Sequence, residues 1–150
     1  MKNNFKDVNY YIELTSCCNL RCTYCYNDSG KKNDEITYQA VEKLITNSLA
    51  FFNTSVTLSG GEPFLYTHFY DLLDLFNKNK IKTTIATNGT LISDEFLKFI
   101  IDKKDYQNNF NCIIIVGKGI NERTFAEREK NLLFALNNLN IIKEKQDEKK

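Results

Sequence analysis

The chain has 150 residues, 42% of them hydrophobic and including 8 Tyr and 11 Phe, which suffices for one globular domain with a single core. Its formal charge is +1, so no global field favours nucleic acid, and no apolar run reaches the roughly 18 residues of a membrane span. We therefore expect a cytoplasmic protein without nucleic-acid or membrane partners. Five cysteines, an odd and clustered set, indicate metal or redox chemistry rather than a disulfide framework.

Short runs rich in Ile, Val, Thr and Tyr alternate along the chain with segments of helical periodicity. The runs at residues 10–14, 55–58, 83–86 and 112–116 predict strands. After each of the first three runs apolar residues recur at helical spacing, and a fourth helix is predicted over residues 122–140. The three apolar sets are Val41, Leu44, Ile45, Leu49 and Phe52; Phe69, Leu72, Leu73 and Phe76; and Phe96, Leu97, Ile100 and Ile101.

Three of the predicted helices begin with the same capping pattern. Thr37, Ser93 and Asn121 are N-cap candidates, each preceded by Ile and followed four positions later by an apolar residue. Such a hydrophobic staple fixes the direction in which the chain enters a helix, so it supports these three helix starts.

Four successive strand-helix units predict an α/β fold in which a parallel sheet is connected by right-handed crossovers. Ligands of such sheets bind beyond the carboxyl ends of the strands, so the loops that follow the strands are the expected site. The domain would cover residues 1–141. Residues 142–150 form a charged stretch with few apolar groups, which predicts a disordered tail.

Residues 16–26, here called the cysteine loop, read S-C-C-N-L-R-C-T-Y-C-Y and follow the first predicted strand. Cys18, Cys22 and Cys25 are spaced so that one short loop can fold three thiolates around a single centre. Three thiolates leave one iron of a four-iron cluster open, whereas four cysteines close a structural zinc site. Cys17 is interpreted as a packed or free thiol, because neighbouring side chains in an extended segment point in opposite directions. A zinc site completed by Cys17 or Cys112, or plain structural cysteines, are the alternatives.

The loops after the second and third predicted strands also carry short motifs. The segment S-G-G-E-P at residues 59–63 holds the only proline of the chain, and its glycines allow a ligand to approach the backbone closely. An ordinary turn with a helix-starting proline is the alternative. The segment A-T-N-G-T at residues 86–90 lies between a strand and a helix, so it is interpreted as a strand-helix loop rather than a hairpin.

In order and spacing, these three motifs together resemble the radical S-adenosylmethionine (radical SAM) superfamily. The resemblance implies a partial, incomplete TIM-like barrel and a 4Fe-4S cluster held by Cys18, Cys22 and Cys25. SAM would chelate the fourth iron through its amino and carboxylate groups. The further SAM contacts that the resemblance implies are Tyr24 near the adenine; Gly60, Gly61 and Glu62 at the amino group; and, more weakly, Thr87 and Asn88.

The same resemblance implies an activity. One electron from the cluster would cleave SAM to methionine and a 5′-deoxyadenosyl radical that abstracts hydrogen from a substrate. The C-N-L-R-C-x-Y-C form is most similar to peptide- and protein-modifying members of the SPASM group, so a peptide or protein is the first substrate hypothesis, with a flavodoxin or ferredoxin as electron donor. A glycyl-radical-enzyme activating protein and a non-catalytic iron-sulfur or zinc-binding interaction module are the alternatives.

The pattern departs from the family in two respects. The family core has six strand-helix units and only four are found here, which predicts an open sheet edge after the fourth strand. Three explanations are open: a minimal enzyme whose edge is covered by a partner chain or a second copy, a truncated gene product, or a domain repurposed for binding. In addition, residues 113–119, I-I-I-V-G-K-G, lack the polar residue that the family often places there for the ribose. Three further residues have no assigned role: Glu13 and His68, which could order the site or transfer a proton, and Cys112, which reads as a core residue.

Overall fold

The computed structural model describes residues 5–22, 25, 27–102 and 110–115. The elements run in the order β1 (Lys6–Thr15), α1 (Tyr38–Leu49), β2 (Phe52–Gly60), a short 3-10 helix (Pro63–Leu65), α2 (Phe69–Lys78), β3 (Lys82–Thr87), α3 (Asp94–Asp102) and β4 (Phe110–Ile115). The predicted alternation of strands and helices is confirmed over this part of the chain. The predicted fourth helix and the charged tail lie outside the described residues.

The four strands form one parallel sheet in the order β1-β2-β3-β4. In its register Tyr11 pairs with Thr57, and Thr57 pairs with Thr84. Because all strands run the same way, their carboxyl ends share one edge of the sheet, and the loops after β1, β2 and β3 emerge there together. The predicted α/β class with a parallel sheet is therefore confirmed.

The helices bury one face of the sheet. Along β1 the exposed residues Tyr11 and Glu13 alternate with the buried residues Ile12 and Leu14. An aromatic contact joins the short 3-10 helix to α3, because the Phe64 ring lies edge-on to the Phe96 ring with centroids 4.8 Å apart. The fully or nearly buried apolar side chains of this core include Val41, Ile45, Val56, Leu58, Phe69, Leu72, Leu73, Phe76, Ile85 and Phe96.

Two of the three predicted helix caps are described. The Thr37 hydroxyl accepts a hydrogen bond from the Ala40 N–H at 3.3 Å, and the Ser93 hydroxyl accepts one from Phe96 N–H at 3.2 Å. Each bond satisfies a backbone donor that the first helical turn leaves free, which confirms these helix starts. The third cap, at Asn121, lies outside the described residues.

The first helix is shorter than its apolar pattern predicts. It ends at Leu49, and Phe52 is the first residue of β2, where it pairs with Lys6. The Phe51 N–H donates to the Ser48 carbonyl at 3.0 Å and closes a turn directly after the helix. Including Phe52 in the helical set was therefore wrong: its spacing matched the period by coincidence. Leu44 belongs to the helix but is 38% exposed, so the buried stripe is narrower than predicted.

None of the helices in the described ranges is long and apolar enough to cross a membrane. β1 and β4 are the outer strands of the sheet formed by the described residues. What lies beyond β4, and hence the prediction of an open edge there, falls outside those residues.

Candidate functional site

The loop after β2 lies directly on the loop after β1. The Gly61 N–H donates to the Thr15 carbonyl at 2.6 Å, and the Glu62 N–H donates to the Cys17 carbonyl at 2.8 Å. Gly60 has φ +123°, and a methyl group there would lie 2.5 Å from the Thr15 carbonyl oxygen, while one on Gly61 would overlap the Cys17 carbonyl. Both glycines are therefore required for this close approach of two backbones.

Glu62 joins the same two loops to the end of β3. Its side chain is fully buried. One carboxylate oxygen accepts from the Thr87 hydroxyl at 2.6 Å and from the Phe64 N–H at 3.4 Å, and the other accepts from the Asn88 N–H at 2.8 Å. A buried carboxylate needs such donors, because an unpaired charge is costly away from water. Glu62 thus acts as a cross-link between two strand ends.

A ring of three side chains, here called the clasp, ties the cysteine loop to the end of β3. The Asn88 amide donates to Asn19 Oδ1 at 2.9 Å, and the Asn19 amide donates to Thr90 Oγ1 at 2.7 Å. The Thr90 hydroxyl closes the ring by donating to Asn88 Oδ1 at 2.6 Å. The Asn88 amide nitrogen also lies 3.9 Å from Cys18 Sγ in a donating geometry.

None of the four described cysteines of the loop forms a disulfide, and all four are partly buried. The Cys25 N–H donates to the Cys22 carbonyl at 3.2 Å, so the backbones of these two residues are in direct contact. Two sulfurs accept backbone hydrogen bonds: Cys18 Sγ from Leu20 N–H and Cys25 Sγ from Ser29 N–H, each at 3.4 Å. Such donors stabilise negative charge on sulfur, and the thiolate is the form that binds metal.

The pKa values of two of these thiols shift in opposite directions. Burial raises the pKa of the Cys18 thiol above its ordinary value, and the charges of Glu62 and Cys22 add to the rise against a hydrogen bond from Leu20. Burial also raises the pKa of the Cys25 thiol, but hydrogen bonds from Ser29 and its neighbours outweigh that effect and leave the pKa below its ordinary value. The two thiols therefore occupy different environments within one loop.

The donor set of the cysteine loop fits an iron-sulfur cluster, although the thiols are not gathered around a point. Among the described residues no group of three or more His, Cys, Asp or Glu side chains is arranged to hold a metal ion. The loop nevertheless supplies three thiols that form no disulfide, and N–H donors to two of the sulfurs. Beside Cys25, the buried Ser29 hydroxyl makes no hydrogen bond of ordinary geometry in the described part of the chain, and a Cys25 thiolate that binds a cluster would be an acceptor for it.

Cys17 differs from the other three cysteines. Its thiol donates to Asn33 Oδ1 at 3.4 Å, and its backbone carbonyl is engaged by the loop after β2. The interpretation of Cys17 as a packed or free thiol stays a prediction. Tyr24 lies outside the described residues, so its predicted adenine contact stays a prediction. For Cys112 the described backbone lies in β4 and pairs with Thr84.

The two other polar residues considered from sequence lie at the surface. Glu13 is exposed and accepts a hydrogen bond from the Asn27 amide at 3.4 Å, so it contacts the segment just after the cysteine loop. His68 occupies the N-cap position of α2, and its ring lies 3.0 Å from the Asp71 carboxylate. His68 is thus bonded to Asp71 at the start of α2, and it lies far from the cysteine loop in sequence.

Sequence reasoning did not identify Asn19 and Thr90, the other members of the clasp. Both positions carried a usable signal, because each is a polar residue inside a loop that follows a parallel strand. Loops at the same sheet edge lie side by side, so their short polar side chains are expected to bond to each other. Of the two predicted residues in this region, Asn88 is the third member of the clasp, and the neighbouring Thr87 donates to Glu62.

The fold and the site together define an α/β protein whose parallel sheet carries a thiol-rich site at the carboxyl ends of its strands. Residues 12–114 match the family model of the Radical SAM superfamily, and the chain belongs to that superfamily. The family identification made from the three sequence motifs is thereby confirmed.

Curated relatives match the same region. The chain is 33% identical over 91 residues to the tungsten-containing aldehyde ferredoxin oxidoreductase cofactor-modifying protein of Pyrococcus furiosus, a match covering 59% of this chain and 26% of that protein. It is 32% identical over 97 residues to the GTP 3′,8-cyclase of Photorhabdus laumondii, covering 60% and 30% respectively. The chain thus spans under a third of the length of the curated relatives it matches.

Solved structures show the same fold. A structure of anSMEcpe with bound AdoMet and the Cp18Cys peptide has a TM-score of 0.64 and 26% identity, covering 87% of this chain and 40% of that one. Streptococcus suis SuiB bound to its precursor peptide SuiA has a TM-score of 0.60 and 24% identity, covering 73% and 24%. The second likeness supports the partial-barrel fold alone.

Proposed function

We propose that this chain contributes the cluster- and SAM-binding core of a radical SAM enzyme. In this proposal Cys18, Cys22 and Cys25 hold a 4Fe-4S cluster, and SAM binds beside it at the carboxyl ends of β1, β2 and β3. The observation that carries the proposal is the assembly of three loops into one site. The Glu62 N–H joins the second loop to the cysteine loop, and the Glu62 carboxylate joins it to the end of β3.

When bound, the cluster supplies the electron that cleaves SAM to methionine and a 5′-deoxyadenosyl radical for hydrogen abstraction. The chain's own groups have more limited tasks. Gly60 and Gly61 let the loop after β2 lie directly against the cysteine loop, and this places their backbone beside the proposed SAM site. The two oxygens of Glu62 already accept from three protein donors, so we assign Glu62 to holding this loop in place rather than to contacting SAM through its side chain.

The test begins with anaerobic reconstitution of the full chain with iron and sulfide. Dithionite replaces the flavodoxin or ferredoxin that we propose as donor, SAM is added, and 5′-deoxyadenosine is quantified by mass spectrometry. We expect a 4Fe-4S signal in electron paramagnetic resonance that SAM perturbs, together with 5′-deoxyadenosine. A cluster whose signal does not change when SAM is added would instead support a non-catalytic iron-sulfur module. Binding of zinc without iron would support a zinc-binding interaction module.

The cysteine loop offers a matched pair of variants for this test. Cys22→Ala removes a proposed ligand and is expected to abolish both the cluster and SAM cleavage. Cys17→Ala removes a thiol of the same loop that is not a proposed ligand, and this thiol donates to Asn33 Oδ1. We expect Cys17→Ala to keep the cluster. Loss of the cluster in Cys17→Ala, or its retention in Cys22→Ala, would contradict the ligand assignment.

We infer that the substrate is a peptide. The support is the likeness to anSMEcpe, whose structure holds a peptide, over 87% of this chain. The face of the sheet opposite the described helices also carries hydroxyl and amide groups. On that face Tyr11 donates to Ser59 at 2.7 Å, and Asn9 donates to Thr57 at 3.2 Å. Polar, uncharged groups of this kind suit backbone amides. Adding the Cp18Cys peptide should raise 5′-deoxyadenosine formation above the substrate-free rate, and a rise with GTP alone would contradict the peptide assignment.

A further inference from the structure

Asn88 lies between the end of β3 and the cysteine loop, with only 7% of its surface exposed. We propose that Asn88 is a positioning residue that holds the cysteine loop through the clasp and donates a hydrogen bond to the Cys18 sulfur, thereby raising the reduction potential of the bound cluster. This inference rests on the proposed function, because it presupposes a cluster on Cys18.

The orientation of the Asn88 amide follows from its partners. Its Oδ1 accepts two hydrogen bonds from Thr90, one from the backbone N–H at 2.9 Å and one from the hydroxyl at 2.6 Å. Turning the amide over would place its NH₂ group against that N–H and would leave Asn19 Oδ1 facing another oxygen. The NH₂ group therefore faces Asn19 and Cys18. Since an amide nitrogen carries two hydrogens, one can serve each acceptor.

A donor at this position favours the reduced cluster. Reduction adds one negative charge, which is shared with the ligating sulfurs, and N–H groups aimed at those sulfurs stabilise it. Burial strengthens the effect because water screens the interaction little. Cys18 already accepts from the Leu20 N–H of its own loop at 3.4 Å, and Asn88 adds a donor from the loop after β3. Asn88 thereby couples the placement of the loop to the electronic state of the site.

The bonding of Asn88 argues against a direct contact with SAM as its main task. Both polar atoms of its side chain are engaged by protein groups, so a contact with SAM would have to break the clasp. Thr87 is in the same position, because its hydroxyl donates to Glu62 and accepts from the Gly89 N–H at 3.1 Å. We therefore assign Asn88 an influence on the cluster through Cys18.

The experiment measures the midpoint potential of the reconstituted full chain, without SAM, by redox titration monitored by electron paramagnetic resonance. Asn88→Ala removes the donor and the clasp together. Asn88→Leu has a side chain of similar size and removes the donor without adding a charge that would itself lower the potential, so it serves if the alanine variant does not fold. Both variants are expected to have a more negative midpoint potential than the unmodified chain.

Two controls separate the donor from the clasp. Asn19→Ala opens the clasp but leaves the donor on Asn88, so it should shift the potential by less than half as much while increasing amide hydrogen exchange in residues 16–22. Asn53→Ala removes a comparable amide at the opposite end of the sheet and should leave the potential unchanged. Equal potentials for the unmodified chain and both Asn88 variants would overturn this inference alone. Absence of any cluster in the unmodified chain would overturn the proposed function, and this inference with it.

Discussion

The two ends of the sheet carry similar polar side chains in opposite surroundings. At the carboxyl end, Glu62, Thr87 and Asn88 are buried and bonded to one another. At the amino end, Asn53 is exposed and bonds to the Asp7 carboxylate at 2.9 Å and to the Phe5 carbonyl at 3.0 Å. The hydrogen bonds have similar lengths, so it is burial that distinguishes the two ends.

This difference has a physical consequence. Water can replace a lost partner at the exposed end, but it cannot reach the buried end, where a lost partner leaves a donor unsatisfied. A buried polar network is therefore costly to disturb and holds its members in one arrangement. The carboxyl end of this sheet has the rigidity that a ligand site needs, whereas the amino end can vary at little cost.

The largest expected effect comes from removing the buried carboxylate. Glu62→Ala leaves the Thr87 hydroxyl and the Asn88 N–H buried without their acceptor, and it should lower the free energy of unfolding by about 3–5 kcal/mol. Glu62→Gln keeps one acceptor oxygen and should cost about 1–3 kcal/mol. Urea unfolding of the metal-free chain measures both.

The control for this comparison is Glu42→Ala, which removes an exposed carboxylate from α1. It should change the free energy of unfolding by no more than about 0.5 kcal/mol. If Glu62→Ala proved as mild as Glu42→Ala, the cross-link assigned to Glu62 would be wrong.

A smaller effect is expected where two backbones meet. Gly60→Ala forces an alanine into φ +123° and places its methyl group against the Thr15 carbonyl, so it should destabilise the chain by about 2–4 kcal/mol. Gly30→Ala is the matched variant: it has φ +86°, but its methyl group would meet the side chain of Arg21, which can move. It should cost about 1–2 kcal/mol by urea unfolding. Equal costs would mean that φ alone, and not the approach of the loops, requires glycine at position 60.

The sequence predicted the fold of the described region and the loops that form its site. Strand and helix periodicities determine the order of the elements, and a parallel sheet then gathers the loops after β1, β2 and β3 at one edge. Phe52 was misplaced because its position fits a helical period, and periodicity cannot detect that β2 begins by pairing with Lys6, 46 residues earlier in the chain.

The internal bonding of the site was less accessible to sequence reasoning. Asn88 and Asn19 are 69 residues apart, and the bond between them depends on how two loops lie on the finished sheet. For Glu62 the family resemblance implies a SAM contact, which stays a prediction, and the resemblance gave no indication that its carboxylate accepts from three protein donors. Motifs identify which loops matter, but they do not divide the residues of a loop into those that meet a ligand and those that hold the loop.

The smallest expected effect tests whether burial, rather than position on the sheet, controls the cost of losing a hydrogen bond. Asn53→Ala at the amino end should lower the free energy of unfolding by no more than about 0.5 kcal/mol, because water replaces both of its partners. Thr37→Ala, at the carboxyl end but equally exposed, should cost about 1 kcal/mol through loss of its helix cap. Urea unfolding gives the free energies of unfolding of these two variants and of Glu62→Ala, which are then compared. A Thr37→Ala cost as large as that of Glu62→Ala would show that the carboxyl end is sensitive as a whole, whereas a cost of about 1 kcal/mol, which is that of a lost helix cap, would leave burial as the controlling difference.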